Sequence, residues 1–219
     1  MTKSPSNRAL ALIASLLVFS GLVQCQGQGT MTVGFQGPAF QGAPQPQPPG
    51  TVSTISQYIE SGMRFRTPAG PQTLALVGGG ISANPENGTA YLQLHAPLEF
   101  QFVSPAAFDL LSLDLAEYST SLAGPVNAHV VGYGLQGQIA GSLDLTTDGI
   151  NDGTGPLADF QTFTFDSRFR NLYRVEITSD FWSLDNVVIS GVPEPSAGAL
   201  VLVGAACAFC RSRIKRRRP

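Results

Sequence analysis

The chain has 219 residues, 43% of them hydrophobic and 13% charged, with a formal net charge of −2. Residues 28–191 carry only five cations (Arg64, Arg66, Arg168, Arg170, Arg174) against fourteen Asp and Glu, a formal charge of −9, whereas six of the thirteen Lys and Arg close the C-terminus. That distribution argues against a nucleic-acid ligand, because a phosphate backbone demands a clustered cationic surface; it suits a soluble surface in a polysaccharide- or metal-containing milieu.

At the N-terminus, Lys3 and Arg8 precede an apolar stretch from Ala9 to Val23. A cationic start followed by hydrophobes is the order of a secretory signal peptide, so residues 1–27 are expected to form a signal helix and the chain to be exported. Two processing points stay open: Leu22-Val23-Gln24-Cys25 resembles a lipoprotein box, except that Gln24 stands where a small residue is usual, and an ordinary cut falls between Cys25 and Thr30. The stretch from Phe40 to Gly50, with Pro44, Pro46, Pro48 and Pro49, is a linker or an extended loop, since its proline and glutamine content cannot build a core.

Residues 28–191 are long enough for one domain that buries about 70% of its extended-chain surface. Period-two alternation runs through Glu99–Phe102, Leu111–Leu115, Val126–Val130, Thr162–Phe165 and Tyr173–Ile177, which predicts half-buried strands. Turn clusters separate them: Gly78-Gly79-Gly80, Asn84–Gly88, Gly124-Pro125, Gly132-Tyr133-Gly134 and Asp148–Gly155. About ten strands at this spacing predict an all-β, two-sheet sandwich. Cys25, Cys207 and Cys210 are the only cysteines, so this body holds no disulfide and must stand on its core.

Catalytic constellations are thin in the body. Its histidines are His95 and His129, and without cysteine a zinc site of thiolate and imidazole is excluded. No nucleophile elbow, His-Glu-x-x-His helix or phosphate loop occurs. An enzyme is therefore not expected, although fourteen carboxylates leave glycoside hydrolysis open in principle. Asp148, Asn151 and Asp152 offer three oxygen-bearing side chains in one glycine-rich loop, which reads either as a calcium loop or as a turn built on Asp-Gly chemistry; Ile150 spoils EF-hand spacing. Asn87-Gly88-Thr89 reads as a turn.

The last segment, 192–219, has three parts: an extended Val192-Pro193-Glu194-Pro195-Ser196 step, an apolar run from Ala197 to Cys210, and the cluster Arg211, Arg213, Lys215, Arg216, Arg217, Arg218. The prolines bar helix entry, the apolar run favours hydrocarbon, and the cations stay on the cytoplasmic side. Fourteen residues span about 21 Å against a hydrocarbon thickness of ~30 Å, a marginal transmembrane helix that Ser212 and Ile214 can extend across 197–214. Cys207 and Cys210 have redox-motif spacing but lie inside this apolar run, where they read as small apolar residues.

This three-part tail resembles the PEP-CTERM sorting signal of Gram-negative bacteria. The resemblance implies processing near Pro193, Glu194 and Pro195 by an exosortase, transient anchoring in the inner membrane, and delivery to the cell surface or the exopolysaccharide matrix; exosortase and the export machinery are the implied partners. Within the body, Tyr58-Ile59-Glu60-Ser61-Gly62-Met63-Arg64-Phe65 looks like the opening strand of exported anchor-bearing β-sandwich proteins, and Phe108–Tyr118 and Trp182–Ile189 look like later strands of the same domains. Such bodies resemble galactose-binding-like and carbohydrate-binding jelly rolls. That resemblance implies a jelly-roll-like sandwich that binds polysaccharide or associates with matrix, with a structural calcium held between Glu60 and Asp185. Sugar recognition in such folds uses planar aromatics, which directs attention to Trp182 and to the glycine-flanked Tyr133, with Tyr58, Tyr91, Tyr118 and Tyr173 as further candidates. The alternative function is a secreted hydrolase acting on matrix polysaccharide.

Overall fold

The computed structural model describes residues 29–36, 47–68, 74–122 and 124–191. The segments expected to be a signal peptide (1–27) and a membrane span (197–214), the expected processing residues Pro193, Glu194 and Pro195, and the closing basic cluster lie outside the described residues. Within Gly29–Val192 the chain forms one compact unit. Its strands are β1 (Thr30–Val33), β2 (Val52–Ile55), β3 (Gln57–Glu60), β4 (Met63–Arg66), β5 (Leu74–Val77), β6 (Tyr91–Leu94), β7 (Leu98–Phe102), β8 (Asp109–Glu117), β9 (Asn127–Tyr133), β10 (Ile139–Thr146), β11 (Gln161–Thr164), β12 (Arg174–Ile177) and β13 (Trp182–Ser190). Two short 3-10 turns, Thr120–Leu122 and Ser167–Phe169, are the helical elements among the described residues.

These strands make two antiparallel sheets. One has the order β11-β8-β13-β6-β5-β2, with β1 also pairing with β13; the other runs β10-β9-β12-β7-β4-β3. From β5 onward the chain crosses between sheets at most connections, and alternate residues of both sheets meet in one core. Leu92, Leu113, Leu115, Trp182, Leu184 and Ile189 from the first sheet pack in the same cluster as Phe65, Phe100, Val130, Val175 and Ile177 from the second. The body is thus an all-β, two-sheet sandwich, and period-two alternation builds it because each strand needs one apolar face.

One expectation is corrected in detail. Tyr58–Phe65 reads as a single strand, yet it forms a hairpin in which Glu60 pairs with Met63 and Tyr58 with Phe65. Ser61 and Gly62 take φ of 51° and 81°, the two positive values that a tight two-residue hairpin turn requires. Elsewhere glycine serves close approach: a Cβ on Gly78 would lie 2.1 Å from the carbonyl oxygen of Pro48, at the point where Gly78 N–H bonds Thr51 O at 2.9 Å.

Strand β13 organises the first sheet. It pairs with β8 along its length, while its other edge is met first by β6, through Trp182–Leu184, and then by β1, through Val187–Ser190. The exchange of partners falls at Asp185-Asn186, where the register with β8 shifts and Asn186 has φ of 44°.

Candidate functional site

At one end of the sandwich, register alone assembles an aromatic group. Leu94, Trp182 and Glu117 lie in one row across β6, β13 and β8. One residue beyond that row stand His95, Phe181 and Tyr118, so three strands that are distant in sequence deliver three rings to one place. Their centroids lie 4.5 Å (His95–Tyr118), 5.2 Å (His95–Phe181) and 5.7 Å (Tyr118–Phe181) apart, the latter two near perpendicular at 81° and 83°. Edge-to-face pairs of this kind contribute about 0.5–1.5 kcal/mol each. The Tyr118 hydroxyl hydrogen-bonds His95 Nε2, and burial raises the Tyr118 phenol above its ordinary range.

Phe181 is unusual in two respects. It is 47% exposed and has φ of 60°, a left-handed conformation that costs a large non-glycine residue roughly 1 kcal/mol or more. Its ring also lines an open cleft of about 380 Å³ together with Leu122, Pro125, Val126, Asn127 and Asp180. Leu122 is 51% exposed. The result is a largely apolar hollow with Asn127 and Asp180 among its lining residues, a combination that suits a ring with one apolar and one polar aspect.

Trp182 is not such a platform. It is wholly buried in the core, with its indole N–H donating to Ser179 O at 2.7 Å, because its position in β13 alternates inward with Leu184. Tyr133 lies at the far end of β9 and is half-buried. The Arg174 guanidinium sits 4.1 Å from its ring centroid and its hydroxyl donates to Glu176 at 2.7 Å, a bond that raises the phenol's pKa, so one face of this ring is already occupied.

The two carboxylates that the resemblance assigns to calcium have separate partners. Glu60 accepts from Phe35 N–H at 3.0 Å and from the Tyr58 hydroxyl at 2.9 Å. Asp185, on the outer side of its sheet yet wholly buried, accepts from Asn87, from the Thr89 hydroxyl at 2.9 Å and from Asn186 N–H at 2.7 Å. Burial pushes its pKa up to about 6 despite those three donors, and neighbouring Asp114 adds to the rise. Asp114 is itself bonded by the Asn186 amide and the Thr162 hydroxyl. Among the described residues no group of three His, Cys, Asp or Glu side chains is arranged to hold a metal ion. In the glycine-rich loop, Asp148 accepts from Ile150 N–H, Asn151 from Gly153 N–H and Asp152 from Leu157 N–H, so all three side chains fold back on their own segment.

Sequence reading names Tyr118 among several tyrosines and does not single out Phe181. The signal is present only as an aromatic immediately before a strand. Its meaning depends on which strands flank β13, and alternation does not reveal that.

No family model matches the sequence, and no curated protein matches it. Solved structures do show a likeness of chain path. A DUF4465 family protein from Bacteroides caccae is 11% identical with a TM-score of 0.40, covering 77% of this chain and 95% of that one. The K1 cleaved adhesin domain of Lys-gingipain from Porphyromonas gingivalis is 9% identical with a TM-score of 0.43, covering 76% and 99%. The family 11 carbohydrate-binding module of a Clostridium thermocellum cellulosomal cellulase is 11% identical with a TM-score of 0.30, covering 76% and 96%. At scores this low the likeness does not extend to residues or roles.

Proposed function

We propose that this chain is an exported bacterial cell-surface or extracellular-matrix protein whose jelly-roll-like body binds polysaccharide without turning it over. The observation that supports binding is the exposed Phe181, held in a left-handed conformation beside His95 and Tyr118 at the mouth of an apolar cleft. Backbone strain at a large, half-exposed aromatic motivates a functional reading, in which the turn presents the ring beside the cleft. Export, anchoring in the inner membrane and exosortase processing belong to this proposal through the tail's resemblance to a PEP-CTERM signal; a calcium shared by Glu60 and Asp185 does not, since the two carboxylates stand on different sheets with separate partners.

The test is retention of the purified protein on immobilised polysaccharides, with soluble oligosaccharides titrated to millimolar concentration because shallow sites bind at about −8 to −4 kcal/mol. Phe181→Ala and Tyr118→Ala should each weaken binding about tenfold or more. Binding that survives both substitutions would overturn the site, and release of shortened sugars from matrix polysaccharide would replace the binding reading with the hydrolase.

A further inference from the structure

The electrostatics of the same cleft identify its ligand more closely. Asp180 stands on the lining beside Phe181. Behind the Pro125-Val126 wall lies Glu117, wholly buried: its Oε1 accepts from the Thr147 hydroxyl and from Gly149 N–H at 2.7 Å, while its Oε2 has no hydrogen-bond partner among the described residues. The wall is continuous with that carboxylate, since Thr147 N–H bonds Val126 O at 3.1 Å and Val126 N–H bonds the Thr147 hydroxyl at 2.9 Å. Asp148 follows Thr147 in the chain with its side chain turned to Ile150 N–H, so Asp180 is the carboxylate on the cleft itself and the other two acidic side chains stand behind its wall.

The cations are elsewhere. Arg66 pairs with Glu99 on the second sheet, Arg174 bonds Glu99 and Glu176, and Arg168 pairs with Asp166 beside the Ser167–Phe169 turn. Residues 28–191 contain no lysine, and among the described residues no arginine lines the cleft. A hollow with low-dielectric walls and one sign of charge attracts the opposite sign, and an exposed aromatic face adds attraction for a cationic nitrogen.

We infer that the cleft at Phe181 and Asp180 selects glycans bearing a free amine over their neutral or acidic counterparts. The sugar ring lies against Phe181 and Leu122, and the ammonium meets Asp180. This inference rests on the proposed polysaccharide binding and adds the chemical class of the sugar.

Calorimetry on the full-length protein in mild detergent at about 0.15 M salt tests it, with a glucosamine tetramer and the fully N-acetylated tetramer as probes. The two differ in their amines, and a short oligomer avoids the unspecific pull of a polycation on an acidic protein. The amine form should bind roughly five- to tenfold more tightly. Asp180→Asn should cut the preference to about two- to threefold, the share the aromatic face supplies. Asp166→Asn, an equal change of charge at the opposite end of β9, should leave the preference intact. Equal affinity of the wild-type protein for the two tetramers, with both weakened by Phe181→Ala, would overturn amine selection and leave polysaccharide binding standing. A preference that Asp180→Asn does not alter would also overturn it. Insensitivity of either tetramer's binding to Phe181→Ala would overturn the site itself.

Discussion

Asp185 shows how one buried group governs the response of stability to pH. Its folded-state pKa is raised to about 6 from an ordinary value of 3.8. The native state therefore holds this proton more tightly than the unfolded chain. The stabilising contribution is fully present below the unfolded value and is lost as pH rises through about 6, on the order of 3 kcal/mol across the window. Burial likewise raises Asp159, and its effect has the same sign; Asp166 is lowered by Arg168 and runs the other way. Urea denaturation between about pH 4 and 7 should show stability falling through the Asp185 window. Asp185→Asn, which has no charge to bury and keeps a carbonyl for the Thr89 hydroxyl, should flatten that slope. A slope unchanged by the substitution would reject the assignment. At Phe181, replacement by glycine should abolish binding and lower stability by less than the two lost ring pairs contribute, because relief of the left-handed strain, about 1 kcal/mol, offsets part of that loss; melting temperature alongside titration reads both.

Elements carry the next level of constraint. In the hairpin of β3 and β4, Gly62→Ala places a Cβ on a residue with φ of 81° and should cost about 1 kcal/mol or more, measured by chemical denaturation. The five alternating segments read from sequence coincide with β7, β8, β9, β11 and β12, because a strand between core and solvent declares its two faces in its own residues. The hairpin is less legible: Ser61-Gly62 interrupts a run whose apolar spacing continues on both sides, and a two-residue turn leaves little trace in a periodicity. Trp182 is misplaced as a ligand platform for a related reason, since alternation gives two faces without saying which is inside. Its full burial predicts a loss of about 3–5 kcal/mol for Trp182→Ala, measured by the same denaturation. The His95, Tyr118 and Phe181 group is not legible at all as a group, because it is created by the order β8-β13-β6 and belongs to no single element.

For the whole molecule, the core must supply what covalent staples do not. Residues 28–191 contain no cysteine, so reductant should leave the melting temperature of the body unchanged. The tail belongs to a different physical regime, and its proposed role is separable: residues 190–219 fused to an exported reporter should yield a shortened product in an exosortase-bearing host. Replacing Pro193, Glu194 and Pro195 by alanine should leave the longer form in the membrane. An unprocessed fusion beside a processed control tail would sink the sorting proposal.

The position of β13 bears on timing. This is the last of the described strands in the chain, yet it is interior to its sheet and joins β8, β6 and β1. A chain that emerges from a secretion channel N-terminus first would have nearly the whole body outside while β8 still lacked the neighbour that links it to β6. Those waiting edges are templates for pairing with other copies, and contacts so distant in sequence form slowly. Folding would then finish only when the final nine-residue strand clears the channel. At that moment the segment next in line is the proposed sorting tail, and its arrest in the membrane would hold each copy apart from its neighbours during the interval in which its sheet is open.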